Sequence, residues 1–330
     1  MKPELIDFVD KFKGKRILII GDMIADIYLH GDISRISREA PVLVLVESEE
    51  KTVAGGAANV VNNVATLGGK AFAIGILGED KGAINLKQIL EANAVNTDGM
   101  FCDANRKTIT KTRVIAGGRA TVSQQVVRID RECNDPMAEV YEQEIMAYIK
   151  EIMPQMQGVV MSDYGSGTIT PAIRDLILSM SKQYDIPSII DSRYAIFDFI
   201  GTDYVKQNDA ELASAVGYKI KDEEDLYEAA QEFLVKMQAK GILVTRGEEG
   251  MTLFEADGAI HHIPVSDKSE VFDVSGAGDT CVATFITALA SGALPCQAAE
   301  LSNFASGIAV RKMGTATVSD DELIAVLKKQ

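Results

Sequence analysis

Cysteine and histidine are scarce in this sequence, which has four cysteines and three histidines among 330 residues. The cysteines are widely spaced and form no CxxC motif, and the histidines include a single adjacent pair, His261 and His262. Disulfide frameworks and structural zinc sites need paired or closely spaced ligands. The sequence therefore indicates neither a disulfide-bonded scaffold nor a zinc-binding domain.

Long apolar runs and basic charge are also lacking. No run of about 18 apolar residues occurs, and residues 1–15 carry interleaved charges where a signal peptide would have its apolar core. The formal net charge of −15 disfavours non-specific binding to nucleic acid or anionic membranes, although a local basic pocket for phosphate is compatible with it. We expect a cytoplasmic protein with small-molecule partners, and neither nucleic acid nor membrane among them.

Short apolar runs alternate with segments of helical period along the chain. The hydrophobic fraction of 47% is enough for one large α/β domain or two small ones. The apolar runs lie at residues 16–22, 71–75, 158–162, 188–191, 204–206 and 241–245, and the helical segments include 139–151 and 223–239. This alternation predicts a mostly parallel sheet with helices on both faces.

Two regions, 41–47 and 108–129, break the alternation because they read as strands without crossover helices. The second contains a Gly117-Gly118 turn between two β-rich arms, as in a hairpin. We predict a small antiparallel β-sheet lid, formed by approximately residues 28–53 and 105–130. No repeat or Pro/Ser-rich linker divides the chain, so the lid is expected to be an insertion in one domain of residues 1–330.

Residues 273–280 read DVSGAGDT and lead into an apolar run. Gly276 and Gly278 remove side chains that would keep the backbone away from an anion, and the free N–H groups of a helix start attract one. Asp279 would repel a static phosphate, so it makes more sense as the base that deprotonates a hydroxyl attacking that phosphate. The alternative is that the glycines shape a turn and Asp279 caps the helix.

A second glycine-rich segment, GGAAN at residues 55–59, opens another predicted helix. Gly55 and Gly56 permit close approach by a ligand. Asn59 either hydrogen-bonds a polyol or satisfies its own helix end.

Asp22 and Asp26 follow the first apolar run, at the strand end where open α/β sheets bind ligands. Two carboxylates suit a substrate rich in hydroxyl groups, and the alternative is a loop or helix-cap role.

Together these motifs resemble the PfkB-type, ribokinase-like sugar kinases, whose signatures are an early Gly-Gly segment with asparagine and a late Asp-x-x-Gly-Ala-Gly-Asp segment. Both occur in order, with an Asn-x-x-Glu element at 208–211 and a Thr-x-Gly turn at 245–247. The resemblance runs from about residue 16 to 318. It implies a three-layer α/β core with a β-sheet lid over the sugar, and it implies a homodimer formed through the lid.

The resemblance also implies residue roles in an in-line transfer from ATP. Asp279 is expected to activate the sugar hydroxyl, with the N–H groups of Gly276, Ala277 and Gly278 as the anion hole. Asn208 and Glu211 match the element that organises Mg²⁺ and phosphate. Read without the resemblance, these two residues would simply cap the helix at 210–216.

Four further matches concern the nucleotide. Thr245 and Gly247, then Asn303 and Gly307, correspond to positions that border adenine and ribose, although small residues there could equally serve helix packing. Asp273 matches a position that holds a monovalent cation in some relatives, which leaves potassium dependence open.

Within the family, several segments look like the kinases that phosphorylate D-glycero-D-manno-heptose 7-phosphate at O1, found alone or fused to an adenylyltransferase. These segments are residues 21–26, 34–37, 39–42, 55–59, 124–125, 128–130 and 162–165. The substrate contacts expected from the resemblance are Asp22, Asp26, Gly55, Gly56, Asn59, Arg128, Asp163 and Arg193. A phosphorylated sugar needs a second anion site, and the lid segments supply basic residues for one: Arg35, Arg38, Lys111, Arg113 and Arg128.

The sequence departs from these kinases at two places. Residues 191–193 read DSR where Asp-Pro-Lys is common, and residues 206–208 read KQN where a Pro-Asn pair is common. Arg193 keeps the charge but presents a planar fork, which can change phosphate geometry and substrate choice. Because the sequence ends at Gln330, we expect a kinase domain without a fused nucleotidyltransferase.

Other functions stay open at this level. A PfkB kinase for a fructose- or ribose-like sugar would carry the same signatures. A non-catalytic sugar or nucleotide sensor is disfavoured, since pure binding needs no base in the anion hole. A Rossmann dehydrogenase is disfavoured because residues 21–26, GDMIAD, lack Gly-x-Gly-x-x-Gly.

Overall fold

The computed structural model describes residues 2–118, 121–133, 135–266 and 271–329. The strands are β1 (Arg16–Gly21), β2 (Met23–Ile36), β3 (Leu43–Gly56), β4 (Lys70–Gly78), β5 (Asn96–Asp103), β6 (Ile109–Gly118), β7 (Thr121–Arg131), β8 (Gly158–Asp163), β9 (Ser188–Ser192), β10 (Tyr204–Asn208), β11 (Gly241–Thr245), β12 (Met251–Glu255) and β13 (Ile260–Ile263). The helices are α1 (Pro3–Asp10), α2 (Ala57–Thr66), α3 (Lys81–Ala92), α4 (Glu139–Ile152), α5 (Pro171–Tyr184), α6 (Asp209–Val216), α7 (Glu223–Met237), α8 (Ala277–Ala290), α9 (Pro295–Ala309) and α10 (Asp320–Leu327).

Nine strands form a central sheet in the order β13-β12-β11-β10-β9-β8-β1-β4-β5. The pairs from β11 to β5 are parallel, and only β12 and β13 are added antiparallel at one edge. Strands in parallel sheets are buried on both faces and read as continuous apolar runs, which is why the pattern of 16–22 and its counterparts predicted them. The predicted mostly parallel sheet is confirmed.

Helices cover both faces of this sheet. Ile17 and Ile19 of β1 pack into one buried cluster with α1, α2, α3, α8, α9 and α10. Leu18 and Ile20 pack into a second cluster with α4, α5, α6 and α7. Successive side chains of a strand point to opposite faces, so one apolar run supplies both cores. The result is the expected three-layer α/β/α arrangement.

A second sheet of four strands, in the order β3-β2-β6-β7, forms the lid. A single residue, Asp22, separates the end of β1 from the start of β2, so the lid continues directly from a strand of the central sheet. The hairpin between β6 and β7 is antiparallel, and residues 119 and 120 at its tip lie outside the described residues.

The prediction of an antiparallel lid is wrong for its central pair. β2 and β6 run parallel, with Ile24 opposite Ile109 and Asp26 opposite Lys111. Parallel neighbours need a long connection, and here β3, α2, β4, α3 and β5 intervene between the two strands. The lid is therefore a mixed sheet. In the described part of the chain, no helix is long and apolar enough to cross a membrane.

Candidate active site

Four neighbouring parallel strands have their carboxyl ends on the same side of the central sheet. β8 ends at Asp163, β9 at Ser192, β10 at Asn208 and β11 at Thr245. A pocket of about 970 Å³ lies on this side, bordered also by the start of α8 and the second half of α9. Open α/β sheets bind ligands at this end of their strands.

The pocket collects most of the predicted catalytic and nucleotide-side residues. Its lining includes Asp163, Arg193, Asn208, Glu211, Thr245, Gly247, Gly276, Ala277, Gly278, Asp279, Asn303 and Gly307. The other predicted site residues lie outside this lining: Asp22, Asp26, Gly55, Gly56, Asn59, Arg128 and Asp273.

Helix α8 begins with free amide donors. Gly276 precedes it with φ of +79°, and a Cβ built there would lie 2.6 Å from Asn59 Nδ2, so the turn requires glycine. Among the residues described, the N–H groups of Gly276, Gly278 and Asp279 have no acceptor. Ala277 N–H instead donates to Val274 O at 3.2 Å. The donors available to an anion are thus those of residues 276, 278 and 279, with Ala277 engaged in the turn.

Asp279 is buried at this helix start, with 5% of its surface exposed. Its Oδ2 accepts from Asn59 Nδ2 at 2.9 Å, and its Oδ1 accepts from the Tyr164 hydroxyl at 3.0 Å. Burial raises the pKa of Asp279 to about 6, with the negative charge of Asp191 acting in the same direction and the two hydrogen bonds opposing it. A carboxylate that titrates near neutrality suits a general base.

Asn59 is held in place by α2 and α8. Asn63 Nδ2 donates to Asn59 Oδ1 at 3.1 Å, so the Asn59 amide presents its NH₂ group to Asp279. Asn63 Oδ1 in turn accepts from Thr280 Oγ1 at 3.2 Å. The polar residue of the GGAAN segment therefore contacts the predicted base directly, and its contact with a polyol stays a prediction.

Lys206 is a buried ammonium that the motifs did not single out. Its Nζ lies 3.1 Å from Asp191 Oδ2 and 3.9 Å from Glu211 Oε2. Burial lowers the pKa of Lys206, but the charges of the two carboxylates outweigh it and the net pKa is raised. A Cβ at Gly278 would lie 3.0 Å from Lys206 Nζ, so this glycine lets the amide donors approach the cation. The one sequence signal for this residue is that a lysine interrupts the apolar pattern of a predicted strand.

Asn208 and Glu211 form a capping box at the start of α6. Asn208 Oδ1 accepts from Glu211 N at 2.7 Å, and Glu211 Oε2 accepts from Asn208 N at 2.8 Å. The capping interpretation therefore holds, and both residues also face the pocket. Within the described ranges, no group of three or more His, Cys, Asp or Glu side chains could hold a metal ion.

The far end of the pocket has apolar walls and small residues. Its apolar lining consists of Met251, Val265, Val271, Val274 and Val310. Asn303 Nδ2 donates to Pro264 O at 2.7 Å, and Gly307 is so close to Ser266 that a Cβ would lie 2.6 Å from its Oγ. Flat apolar walls with few polar groups suit a nucleobase.

Asp22 accepts three hydrogen bonds from backbone donors. Its Oδ2 accepts from Tyr164 N at 2.8 Å and from Ser166 N at 3.1 Å, and its Oδ1 accepts from Thr168 N at 3.4 Å. With 1% of its surface exposed, Asp22 anchors the loop after β8. A direct contact between Asp22 and substrate stays a prediction.

Asp26 lies on the lid strand β2 between two partners. Thr315 Oγ1 donates to its Oδ2 at 2.7 Å, and Arg113 Nη1 lies 3.0 Å from its Oδ1. A Cβ at Gly55 would lie 2.7 Å from the Asp26 carboxyl carbon, and Gly56 has φ of +54°. The two glycines therefore make room for the carboxylate and for a left-handed turn into α2.

Cationic groups face the ring of Tyr164. Lys111 Nζ lies 4.9 Å and Arg193 Cζ lies 6.0 Å from the ring centroid. Arg128 lies nearby on the lid and is held by Asp130 through two hydrogen bonds of 2.7 and 2.5 Å. The cations thus gather beside the half-buried Tyr164.

Two other arginines of the lid lie elsewhere. Arg35 and Arg38 are exposed beyond the part of β2 that pairs with Lys111. Nine residues of strand separate Arg35 from Asp26, which corresponds to roughly 30 Å. They are not part of the cluster beside Tyr164.

Asp163 and Asp273 hold backbone turns at opposite ends of the site. Burial raises the pKa of Asp163, while a 2.6 Å hydrogen bond from Ser192 Oγ and one from Gly165 N oppose it. Asp273 accepts from Ser275 N at 2.8 Å and from Gly314 N at 3.0 Å. A carboxylate has about four acceptor positions, so Asp273 keeps capacity for a cation.

A buried carboxylate beside free amide donors suits the transfer of a phosphoryl group to a hydroxyl, which is the chemistry of kinases that act on small alcohols. Comparison with known proteins gives the narrower class. The chain belongs to the pfkB family of carbohydrate kinases, whose model matches residues 15–322.

Similar proteins of named function agree with this family. The chain is 39% identical over 315 residues to the bifunctional protein HldE of Geobacter metallireducens, covering 93% of this chain and 62% of that protein. It is 38% identical over 332 residues to the bifunctional protein HldE of Citrifermentans bemidjiense, covering 98% and 65%. The chain therefore spans less than two thirds of the length of these relatives.

Solved structures agree in fold. Arabidopsis thaliana ribokinase complexed with ribose and ATP has a TM-score of 0.74 at 19% identity, covering 96% of this chain and 99% of that one. Phosphofructokinase-2 from Escherichia coli, in complex with substrates and products, has a TM-score of 0.76 at 20% identity with the same coverage. The ribokinase-like core and lid predicted from the motifs are confirmed.

Proposed function

We propose that this sugar kinase transfers the γ-phosphoryl group of ATP to O1 of D-glycero-D-manno-heptose 7-phosphate, with Asp279 as the base. The segments that resemble heptose 7-phosphate kinases support this choice within the family. One observation carries it: Lys111 and Arg193 face the same ring, close to the proposed base, and neither forms an ion pair with a carboxylate in the described part of the chain.

The cation cluster favours a phosphorylated substrate. Arg113 and Arg128 are each paired with an aspartate, whereas Lys111 and Arg193 have no ion-pair partner among the described residues. Burial lowers the pKa of Lys111, and the positive charges of Arg128 and Arg193 lower it further against the opposing charge of Asp26. A phosphate dianion would balance this charge, because an opposite charge nearby favours the ammonium form.

Tyr164 connects the proposed base with the two cations. The Tyr164 hydroxyl touches Asp279, while its ring lies against Lys111 and Arg193. A sugar that placed its reacting hydroxyl at Asp279 and its phosphate at the cations would lie along this tyrosine. A sugar phosphorylated at the end opposite O1 has that layout.

In the proposed reaction, Asp279 removes the proton of the attacking hydroxyl as its oxygen bonds to the γ-phosphorus. The bond between that phosphorus and the β,γ-bridging oxygen breaks, and ADP leaves. The N–H groups of Gly276, Gly278 and Asp279 receive the charge on the transferred phosphoryl oxygens. Lys206, below Gly278, adds a fixed positive charge beneath this helix start.

Asn208 and Glu211 are the residues that would organise Mg²⁺. Glu211 uses Oε2 in the capping box, which leaves Oε1 directed to solvent or ligand. Since Mg²⁺ keeps several waters and is held largely by substrate phosphates, one carboxylate is compatible with its binding. When bound, the ion would balance charge on the ATP phosphates. Asp273, with spare acceptor capacity, is the proposed position for a monovalent cation such as K⁺.

The lid offers an apolar surface for a second copy of the chain. Eight large apolar side chains on its strands and turn are exposed: Ile33, Ile36, Val42, Leu43, Val46, Val126, Val127 and Ile129. Exposed apolar patches of this kind mark interaction sites. We propose a homodimer through the lid, in a cytoplasmic location where ATP is available.

The function is tested by steady-state kinetics with heptose 7-phosphate, unphosphorylated heptose, fructose, fructose phosphates and ribose as acceptors. We expect selective turnover of heptose 7-phosphate. Changing Lys111→Met or Arg193→Met should raise its KM by about ten-fold each, because each removes a charge-assisted contact. Lys107→Met, at an exposed lysine of the same lid segment, is the matched control and should leave KM unchanged.

Asp279→Asn is assayed alongside and should lose kcat by at least about a hundred-fold while binding ATP normally. Near-normal turnover in that variant would refute the base. Equal KM changes for heptose and its 7-phosphate would refute the phosphate site. Turnover of a fructose- or ribose-like sugar alone would replace the substrate, and binding without turnover would indicate a sensor.

A further inference from the structure

Tyr164 lies within residues 162–165, one of the segments that resemble the heptose 7-phosphate kinases, but the resemblance assigned it no role. It follows β8 directly, and its hydroxyl donates to Asp279 Oδ1 at 3.0 Å. Its ring faces Lys111 of the lid and Arg193 of the loop after β9. One side chain therefore contacts the helix start, the lid and a strand-end loop.

The loop that carries Tyr164 is fixed from below. Asp22 accepts three backbone N–H groups of residues 164–168, the first of them from Tyr164 itself. A buried carboxylate with three charge-assisted hydrogen bonds leaves this stretch little freedom. The tyrosine ring is thus placed by the backbone and does not depend on its hydroxyl for its position.

The two donors on Asp279 fix how the carboxylate is presented. Asn59 takes one lone pair of Oδ2 and Tyr164 takes one of Oδ1, so each oxygen keeps one acceptor position for the hydroxyl of a substrate. The same tyrosine ring lies against Lys111 of the lid, so the carboxylate and the lid meet at this residue.

We propose that Tyr164 is a positioning residue for the base: its hydroxyl orients the Asp279 carboxylate toward the acceptor, and its ring links that orientation to the cations of the lid. The inference rests on the proposed role of Asp279 and deepens it. The donor role is available throughout the neutral range, since burial and the charge of Asp279 raise the pKa of the Tyr164 phenol well above its usual value.

The charged groups around this pair come from several elements. Asp279 faces Asn59 of α2, Asp191 of β9 and Lys206 of β10 in addition to Tyr164. The Tyr164 ring faces Lys111 of β6, Arg193 after β9 and the carboxylates of Asp191 and Asp279. All of these stay in place when the phenolic oxygen alone is removed.

The test is the pH dependence of kcat for Tyr164→Phe. Ionised Asp279 is the active form, so the rate of the wild-type protein should fall as pH drops through about 6. Removing a donor to the ionised carboxylate raises the pKa of Asp279, and the acid limb should move up by about one pH unit. The loss of rate at pH 6 should then be about five-fold larger than at pH 8.5.

Two controls keep the result interpretable. Tyr148→Phe removes a part-buried hydroxyl that donates to Asn96 Oδ1 at 2.8 Å on β5, and it should leave the pH profile unchanged. Incorporation of 3-fluorotyrosine at position 164 keeps the ring and makes the phenol a stronger donor, so the acid limb should move down.

The possible outcomes distinguish the proposed role of Tyr164 from the proposed role of Asp279. An inactive Asp279→Asn with an unshifted Tyr164→Phe profile would overturn the role of Tyr164 and leave the base standing. An active Asp279→Asn would overturn the base and this inference together. If Tyr164→Phe fails to fold, the direction of the shift in the fluorotyrosine protein alone decides, and no shift refutes the proposal.

Discussion

At the scale of single residues, the surroundings of Asp279 disfavour the ionised form of its carboxyl group. It is 5% exposed and its pKa is raised from 3.8 to about 6. A carboxyl group whose pKa rises on folding lowers the stability of the fold above that pKa, and this effect is absent below the pKa of the unfolded chain. The proposed base thus reduces the free energy of unfolding at neutral pH.

Asp279→Asn should consequently raise the free energy of unfolding by about 2–3 kcal/mol at pH 7.5, an effect that fades below about pH 4. An asparagine fits the site because its oxygen can accept from Asn59 while its NH₂ group donates to the Tyr164 oxygen, which also accepts. Urea unfolding at the two pH values measures the difference. A variant less stable than the wild-type protein at pH 7.5 would contradict the prediction.

Lys206 illustrates which site residues the sequence could not reveal. Its partners Asp191 and Glu211 lie on neighbouring elements, and the pairing appears only when β9, β10 and α6 are brought together. The capping box of Asn208 and Glu211, by contrast, is contained in four consecutive residues and was readable as a helix start. Local patterns predicted local structure, whereas tertiary charge pairs required the fold.

At the scale of secondary-structure elements, the segment between α9 and α10 joins the lid to the start of α8. Thr315 donates from its Oγ1 to Asp26 on β2 and from its N–H to the Tyr28 hydroxyl at 3.0 Å. The preceding Gly314 N–H donates to Asp273, which precedes the anion hole. Residues 314 and 315 therefore connect the proposed sugar side with the proposed phosphate side.

Thr315→Val tests this connection because valine keeps the shape of threonine and removes the donor to Asp26. A hydrogen bond to a charged group contributes about 1.5–3 kcal/mol, so the KM of the sugar should rise about ten-fold with little change in kcat. Thr315→Ser should restore the wild-type KM. Thr317→Val, in the same segment, is the matched control.

The result would count against the connection if Thr317→Val changed the KM as much as Thr315→Val, or if kcat fell while the KM stayed constant.

The same elements show where strand-level prediction succeeded and where it did not. The apolar runs placed six strands of the central sheet, because burial on both faces gives a continuous pattern. Two of these runs are too short, since β4 continues to Gly78 and β10 to Asn208. The pairing of the lid strands was predicted wrongly, since the sequences of β2 and β6 are rich in β-forming residues but carry no signal for the direction in which the two strands pair. Asp22 was placed at a strand end, but its backbone partners, about 140 residues later in the chain, carry no pattern of their own.

At the scale of the whole molecule, the net charge of −15 and the small group of cations beside Tyr164 act over different distances. Exposed charges are screened beyond about 8–10 Å at physiological ionic strength. The acidic surface therefore opposes association in general, while the cluster around Lys111 attracts an anion locally. Any association between two copies depends on apolar contact.

The apolar lid surface accordingly predicts the oligomeric state. Ile36→Asp and Ile129→Asp each place a charge on an exposed lid position and should convert a dimer to a monomer in analytical ultracentrifugation. Val235→Asp, at an exposed position on α7, is the control and should sediment as the wild-type protein does. A wild-type chain that sediments as a monomer at micromolar concentration would refute the interface.

The position of the lid strands in the sequence determines which part of the fold can form first while the chain is being synthesised. All four lid strands have been made once Arg131 has been added, whereas β1 still lacks one of its two neighbours until β8 is made. A ribosome releases the chain from its N-terminus, so the lid and its exposed apolar side chains exist before the core beneath them can close. The part of the molecule best suited to meet another copy is thus also the part that is finished first.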